Sequence, residues 1–258
     1  MQNRNKMKFI VIIPARFASS RFPGKPLAIL GDKPVIQHVY EKASAVLDEV
    51  FVATDDINIF DKVKTFGGNV IMTSSEHKSG TDRIKEAAEI LEKQGVEFDI
   101  VINIQGDEPF VQESQIRSLC KLFEDSTTQI ATLGKQFTTM KEVENENSPK
   151  IVVDKGGFAM YFSRSVIPFL RGINRTEWIQ KYPFLKHIGI YAYRYEILKE
   201  ITTLPQSPLE IAECLEQLRW LQNGYKIKVG RTDVETIGID TPEDLKRAEE
   251  ILKDHIYN

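Results

Sequence analysis

Near the start of the chain, a short apolar segment passes directly into a loop that carries three cations. Phe9–Ile13 is apolar and β-branched and stops at Pro14, and the loop that follows contains Arg16, Arg21 and Lys25. A uniformly apolar run is typical of a strand buried on both faces of a parallel sheet. Open α/β sheets bind ligands beyond the carboxyl ends of their strands. We therefore predict an α/β sheet whose first loop faces a polyanion, although a solvated basic loop would have the same composition.

The loop lacks the glycine patterns of two common nucleotide-binding folds. It contains neither G-x-G-x-x-G nor G-x-x-x-x-G-K-[ST], so it matches neither the dinucleotide fingerprint nor the Walker P-loop. A pyrophosphate bound here would be held by side-chain cations and loop amides. The missing fingerprint disfavours a nicotinamide-dependent dehydrogenase.

The composition narrows the class of protein and its partners. A chain of 258 residues with 41% apolar residues suits one large α/β domain or two modest ones. The net charge of −3 disfavours a nucleic acid polymer, which would require a basic face. Cys120 and Cys214 lie in apolar helical patterns, which predicts two buried free thiols. The apolar run after the polar N-terminus is too short for a signal peptide or a membrane span, so we expect a cytoplasmic protein without a membrane partner.

The order of predicted elements changes part-way along the chain. The first half alternates strands (Phe9–Ile13, Val50–Ala53, Val70–Met72, Ile100–Ile104) with helices (Pro34–Leu47, Ile57–Phe66, Thr81–Lys93, Glu113–Phe123). After about residue 130 the pattern predicts a hairpin of Ile151–Asp154 with Phe158–Phe162, an irregular loop at Arg171–Lys186, strands at His187–Tyr195 and Lys226–Val229, and helices at Ser207–Leu221 and Pro242–Lys253. We therefore predict a single domain over residues 1–258, with a mostly parallel sheet, helices on both faces and a small antiparallel insertion at about 150–230 that also serves as a dimer surface.

Two acidic positions follow predicted strands. Asp107 lies in the motif Gln105-Gly106-Asp107-Glu108-Pro109, and Asp240 precedes a helix start at Thr241. Mg²⁺ is usually bound through one or two carboxylates together with substrate phosphates. The pattern therefore favours a Mg²⁺ site, with Asp107 as its first ligand. Acidic residues at helix starts are also stabilised by the helix dipole, so the spacing alone leaves the pairing with Asp240 open.

Several further residues fit either a structural or a binding role. Ser79–Gly80 opens a helix whose amides suit an anion or a base edge, but an ordinary N-cap has the same sequence. Arg164 suits a carboxylate and His187 suits an anion or a hydroxyl. Tyr191 belongs to an alternating strand pattern, and Glu216–Gln217 to the solvated face of a helix. The residues alone leave both roles open at each position.

Together these segments resemble the 3-deoxy-manno-octulosonate cytidylyltransferases, or CMP-Kdo synthetases. The matching motifs run in order along nearly the whole chain: IIPARFASSRFPGKPL, VATDD, HKSGTDR, NIQGDEP, YFSR, HIGIYAYR, SPLEIAECLEQLRWL and GIDTPEDL. The resemblance implies a Rossmann-like nucleotidyltransferase fold, a homodimer and Mg²⁺ dependence. It also implies transfer of CMP from CTP to the anomeric hydroxyl of an eight-carbon 2-keto-3-deoxy sugar acid, Kdo, with release of pyrophosphate, for lipopolysaccharide biosynthesis.

The resemblance also assigns roles to residues of this sequence. It implies catalytic roles for Arg16, Lys25, Asp107 and Asp240, of which the two aspartates bind the metal. It implies nucleotide binding by Pro14, Ala15, Arg16, Lys25, Ser79, Gly80 and Arg83. It implies sugar binding by Gln105, Arg164, His187, Tyr191, Glu216 and Gln217, some of them in the insertion. The segment Arg171–Lys186 matches no family motif, which leaves the fine sugar specificity open.

Two alternatives stay open beside this interpretation. A CMP-sugar synthetase for a sialic acid or an amino-substituted Kdo would use the same metal chemistry with a different sugar pocket. A non-catalytic regulator that binds a sugar nucleotide would keep Arg16 and Lys25 without needing Asp107 and Asp240. The sequence has no Ser/His/Asp or Cys/His signature, which agrees with a transfer that relies on positioning and charge neutralisation.

Overall fold

The computed structural model describes residues 7–18, 21–235 and 237–257, which form both strands and helices. The strands are β1 (Phe9–Ala15), β2 (Ile29–Leu30), β3 (Lys33–Pro34), β4 (Val50–Thr54), β5 (Asn69–Met72), β6 (Ile100–Asn103), β7 (Ile130–Gln136), β8 (Lys150–Val153), β9 (Ala159–Ser163), β10 (Leu185–Arg194) and β11 (Ile227–Arg231). The α-helices are α1 (Val35–Ser44), α2 (Ile57–Thr65), α3 (Gly80–Lys93), α4 (Glu113–Leu122), α5 (Met140–Glu144), α6 (Trp178–Lys181), α7 (Tyr195–Ile201), α8 (Pro208–Glu213), α9 (Gln217–Gln222) and α10 (Pro242–Tyr257). Short 3₁₀ helices span Lys25–Leu27 and Arg175–Glu177.

The chain divides into two units, and the first contains the described residues up to Ile116 together with those from 237 onward. Its main sheet has the order β6-β1-β4-β5, and every pair is parallel. Helices α1 and α3 pack against β1 and β4. The predicted α/β class with a parallel sheet is therefore confirmed.

Strand β1 lies in the interior of the first unit, as its composition predicts. Ile10, Val11, Ile12 and Ile13 are all 0% exposed. The strand continues two residues beyond the predicted end, because its residues pair with β4 as far as Ala15. The cationic loop therefore starts at Arg16, directly at the carboxyl edge of the sheet.

Local signals in the sequence set the helix ends of the first unit. Asp56 caps α2 by accepting hydrogen bonds from two backbone amides. Ser79 and Asp82 form a reciprocal capping box at the start of α3. Thr241 and Asp244 exchange the same pair of bonds at the start of α10, as the predicted Thr-Pro helix start requires.

The second unit, Arg117–Glu235, is mostly antiparallel. Its strands have the order β11-β7-β10-β8-β9, in which only the β11–β7 pair is parallel. The predicted hairpin is confirmed, since β8 and β9 pair across a turn in which Asp154 accepts the amide of Gly157 at 3.1 Å. The antiparallel part of the sheet in this unit therefore includes β7, β10, β8 and β9.

The prediction of one continuous helix over Ser207–Leu221 is wrong. Helix α8 ends at Glu213, Cys214 adopts a left-handed conformation with φ of 50°, and α9 begins at Gln217. A left-handed residue reverses the local chain direction and cannot lie inside an α-helix. The apolar periodicity continues across the break, which is why the pattern suggested a single helix.

The predictions for the loop Arg171–Lys186 and the strand that follows it are corrected in part. The loop contains the Arg175–Glu177 turn and helix α6, and Trp178 and Phe184 pack there in an apolar cluster. Strand β10 begins at Leu185, before the predicted start. Tyr195 opens α7 instead of ending the strand.

The two cysteines differ in how far they are exposed to solvent. Both are free, as predicted. Cys120 is half-buried on α4, where burial raises the pKa of its thiol to about 11. Cys214 is exposed, so the prediction of a buried thiol is wrong for this residue. Its left-handed backbone at the helix break removes it from the apolar face that the periodicity suggested.

Candidate active site

A polar cavity of about 360 Å³ lies at the carboxyl ends of β1 and β6 in the first unit. Its lining comes from four segments that are distant in sequence: Pro14, Ala15, Arg16, Ala18, Arg21, Lys25 and Pro26; Gly80 and Arg83; Gln105, Gly106 and Asp107; and Asp240. The cavity therefore brings together the cationic loop, the start of α3 and both acidic motifs of the sequence analysis.

Gly106 allows the loop after β6 to approach the end of β1. A Cβ atom at this position would lie 2.8 Å from the carbonyl oxygen of Pro14, closer than van der Waals contact permits. A second close contact ties Asp240 to the same loop, because the amide of Ile239 donates to the carbonyl of Asp107 at 2.8 Å. These backbone contacts bring the two acidic side chains to one end of the cavity.

The Lys25 ammonium lies between the two carboxylates. It bonds to Asp107 Oδ2 and, at 3.0 Å, to Asp240 Oδ1. The lysine side chain is 16% exposed. Burial acts to lower the pKa of Lys25, but the charges and hydrogen bonds of Asp107 and Asp240 outweigh it and raise the pKa above its ordinary value. The lysine is therefore a permanent cation at neutral pH.

Arginines complete the charge distribution at this end of the cavity. Arg21 Nη2 lies 3.0 Å from Asp240 Oδ1, although the Arg21 side chain is 65% exposed and that of Asp240 is 45% exposed. Arg16 is exposed and also lines the cavity. Three cations and two carboxylates therefore surround one space, an arrangement suited to a polyanion that brings its own counter-cation.

The start of α3 forms another side of the cavity. Gly80 lies beside Pro14 and Gln105, since a Cβ on Gly80 would be 3.6 Å from Pro14 Cγ and 3.8 Å from Gln105 Oε1. Gln105 donates to Asn103 Oδ1 at 3.1 Å. Ser79 is absent from the cavity lining, and its hydroxyl accepts the Asp82 amide as the helix cap. Gln105, predicted for the sugar, thus lines the same cavity as Gly80, predicted for the nucleotide.

Arg83 is held by two residues that the sequence analysis did not assign. Its side chain is 0% exposed, and it donates to Asp55 Oδ2 at 2.8 Å and to Thr73 Oγ1 at 2.6 Å. Asp55 lies directly after β4 in the motif VATDD. Its position at the end of a parallel strand was the signal that could have identified it.

The remaining predicted sugar-binding residues lie in the second unit, where His187 and Tyr191 form part of an aromatic group. The ring centroids of His187 and Tyr191 are 5.3 Å apart, and Trp220 meets Tyr191 edge-on at 5.3 Å. Burial lowers the pKa of His187 to about 4, so the imidazole is neutral at physiological pH. Within the described part of the chain, the solvent-shielded His187 Nε2, Gln217 Nε2 and Trp220 Nε1 have no hydrogen-bond partner.

Arg164 and Glu216 take part in structural contacts of the second unit. The Arg164 guanidinium donates to the backbone carbonyls of Glu213, Glu146 and Cys214 at 2.7, 3.0 and 3.4 Å. Glu216 Oε1 lies 3.4 Å from Arg219 Nη2. Arg164 therefore joins the end of β9 to the break between α8 and α9, a contact that sequence reasoning did not foresee.

Nearly the whole length of the chain is similar to known proteins. A family model described as cytidylyltransferase matches residues 10–227. The chain belongs to the cytidylyltransferase family. Among the relatives of this cytidylyltransferase, the 3-deoxy-manno-octulosonate cytidylyltransferase of Bacteroides thetaiotaomicron is 62% identical over 250 residues, covering 96% of this chain and 99% of the relative. The 3-deoxy-manno-octulosonate cytidylyltransferase of Vibrio vulnificus is 45% identical over 250 residues, covering 95% of this chain and 98% of the relative.

Solved structures confirm the nucleotidyltransferase fold. A CMP:2-keto-3-deoxy-manno-octonic acid synthetase in complex with CTP superposes with a TM-score of 0.87 at 41% identity, covering 96% of this chain and 99% of the other. A 4-diphosphocytidyl-2C-methyl-D-erythritol synthase from Anaerococcus prevotii shares the fold with a TM-score of 0.58 at 16% identity. In the described part of the chain, no helix is long and apolar enough to cross a membrane.

Proposed function

We propose that the protein transfers CMP from CTP to the anomeric hydroxyl of Kdo, forming CMP-Kdo and pyrophosphate for lipopolysaccharide biosynthesis. The observation that carries the proposal is the convergence of Lys25, Asp107 and Asp240 in one polar cavity at the carboxyl edge of a parallel sheet. The similarity to Kdo cytidylyltransferases over nearly the whole chain supports the choice of nucleotide and sugar.

Asp107 and Asp240 fit a Mg²⁺ ion that arrives with the nucleotide. Both carboxylates already converge on one cation, the Lys25 ammonium. No cluster of three or more His, Cys, Asp or Glu side chains suited to a metal ion occurs among the described residues, so phosphate oxygens would supply the remaining ligands. Bound there, Mg²⁺ would neutralise phosphate charge and increase the acidity of the sugar hydroxyl.

The chain itself supplies positioning and charge. In the proposed reaction the sugar hydroxyl attacks the α-phosphorus, an oxygen–phosphorus bond forms, the bond to pyrophosphate breaks, and the hydroxyl proton is lost to solvent. Arg16 and Lys25 stabilise the negative charge that accumulates on the leaving pyrophosphate. Pro14, Ala15 and Gly80 present backbone to the nucleotide, and Ser79 fixes the start of α3.

The sugar site is proposed from the remaining residues of the family motifs. Gln105 lines the cavity of the first unit, whereas the proposed residues of the second unit are Arg164, His187, Tyr191, Glu216 and Gln217. A neutral His187 suits a hydroxyl better than an anion, because a neutral imidazole carries no charge to pair with a carboxylate. We also propose that the enzyme works in the cytoplasm as a homodimer.

Pyrophosphate release from each of the four ribonucleoside triphosphates, with Kdo or a sialic acid as acceptor, tests this function. We expect turnover only with CTP, Kdo and a divalent cation. Asp107→Asn and Asp240→Asn should each abolish most turnover without unfolding the protein, and the double variant should lose little more, because both acids hold one ion. Asp61→Asn, which changes an exposed acid on α2, is the control. Full activity in EDTA, or equal use of sialic acid, contradicts the proposal.

A further inference from the structure

A cluster beside the cavity is formed by Asp55, Thr73 and Arg83, of which only Arg83 has a nucleotide-binding role implied by the family resemblance. Arg83 lines the cavity, yet its side chain is 0% exposed. Two of its nitrogens donate hydrogen bonds, Nη2 to Asp55 and Nη1 to Thr73. Its buried Nε has no hydrogen-bond partner in the described part of the chain. A buried donor without a partner costs free energy, which points to a partner that arrives with a ligand.

The charge of this cluster differs from that of the Lys25 end of the cavity. A buried guanidinium requires an anionic partner, and Asp55 supplies it at 2.8 Å. The Arg83–Asp55 pair therefore offers hydrogen-bond donors with almost no net charge. Such donors suit a neutral part of a nucleotide, whereas phosphates favour cations that are not already neutralised, such as the exposed Arg16.

We infer that Asp55 is a positioning residue for nucleotide recognition, which with Thr73 fixes Arg83 so that its guanidinium donates to the carbonyl oxygen of the cytosine base. A guanidinium has donors only, so it selects a carbonyl acceptor. Cytosine carries such an oxygen at C2, and adenine has none. The cluster thus favours CTP over ATP. The inference rests on the proposed use of CTP.

Isothermal titration of the metal-supplemented protein with CTP, ATP and inorganic tripolyphosphate tests this inference. Asp55→Asn keeps the shape of the side chain but removes the charge that orders Arg83. We expect CTP binding to weaken about 10–100-fold, the size of one charge-assisted hydrogen bond, while ATP and tripolyphosphate binding change less than about twofold. In turnover, KM for CTP should rise much more than kcat falls, because the base is bound equally in the ground and transition states.

Two further variants separate positioning from stability. Arg83→Gln should weaken CTP binding, and adding Asp55→Asn to it should cause no further loss if Asp55 acts through Arg83. Asp56→Ala is the matched control, because it removes the N-cap of α2 next to Asp55 and lowers the melting temperature while leaving CTP affinity unchanged. If Asp55→Asn does not fold, Thr73→Val removes the other acceptor, keeps the ion pair and should weaken CTP selectively.

Three results would overturn the inference. CTP affinity that is unchanged in folded Asp55→Asn would show that the ion pair is structural only. An equal loss of CTP and tripolyphosphate binding would make Arg83 a phosphate ligand. Additive losses in the double variant would show that Asp55 acts independently of Arg83. A wild-type protein that binds CTP no better than ATP would contradict the proposed function itself, so the two failures are distinguishable.

Discussion

Replacing Lys25 by methionine should strengthen metal binding to the nucleotide-free protein while it weakens catalysis. The ammonium of Lys25 bonds to both Asp107 and Asp240, the two proposed metal ligands. A divalent cation that takes both carboxylates must first displace this ammonium. Displacement also frees Lys25 to contact the triphosphate. Methionine has a similar length without the charge, so it removes both the competition with the metal and the contact to the nucleotide.

The contacts of Lys25 determine how strongly its ammonium competes with a metal ion for the two carboxylates. The bond to Asp107 is charge-assisted and mostly shielded from solvent, since the two side chains are 16% and 23% exposed, and it contributes about 1.5–3 kcal/mol. Asp240 is 45% exposed, so solvent screening limits its contact with Lys25 to below about 1 kcal/mol. Displacing the ammonium thus costs about 2–3 kcal/mol, which corresponds to roughly 30–150-fold in metal affinity.

Electron paramagnetic resonance of Mn²⁺ titrated into nucleotide-free protein measures this affinity directly. We expect Lys25→Met to bind Mn²⁺ about 30–150-fold more tightly than the wild type, while kcat/KM for CTP falls by at least a comparable factor. Lys42→Met, which removes an equal charge from an exposed position on α1, controls for the change in net charge.

Two results would refute this reasoning. If Lys25→Met and Lys42→Met raised Mn²⁺ affinity equally, the effect would come from net charge and not from the shared carboxylates. If Lys25→Met bound Mn²⁺ like the wild type but lost activity, Asp107 and Asp240 would not hold the metal, although Lys25 would still contact the nucleotide.

Three further perturbations have outcomes that follow from the contacts described above. Gly106→Ala should cost about 1–3 kcal/mol of stability and reduce turnover, because its Cβ would lie 2.8 Å from a carbonyl of β1, whereas Gly189→Ala, with no atom near its Cβ, should melt like the wild type. Arg219→Met should lower the urea-unfolding free energy by about 3–5 kcal/mol, because it leaves buried Glu210 without its bidentate partner, and adding Glu210→Gln should recover part of the loss. The pKa of His187, about 4 in the folded protein, lies below its unfolded value of 6.5, so the unfolded state binds more protons between these pH values and stability falls as pH falls. Because of this group, the free energy of unfolding should be roughly 1–2 kcal/mol lower at pH 5 than at pH 7. His187→Gln should remove this difference.

The first unit could be predicted well because its signals are local. A continuous apolar run specified β1, and capping residues such as Ser79 and Thr241 specified helix starts within a residue or two. The elements of the second unit were harder to predict. The break at Cys214 depends on one backbone conformation that cysteine does not signal, and α7 continues directly from β10 without a turn residue.

The candidate site shows the same difference between local and long-range information. The acids and cations could be identified because each follows a recognisable strand end or helix start. Their grouping could not, because the contact between Lys25 and Asp240 spans 215 positions of the sequence. Asp55 was missed as a partner of Arg83 for the same reason, since nothing near Asp55 indicates that its partner lies on α3.

The break between α8 and α9 also provides a natural site for a spectroscopic probe. Cys214 is exposed, whereas the thiol of Cys120 is half-buried and stays protonated because its pKa is raised to about 11. Since the thiolate is the reactive form, a maleimide or a nitroxide reagent should modify Cys214 first without any mutation. The carbonyl of Cys214 accepts a hydrogen bond from Arg164, one of the proposed sugar contacts. A label at this position therefore reports on whether the sugar acid alters the surroundings of that arginine, in an otherwise native enzyme.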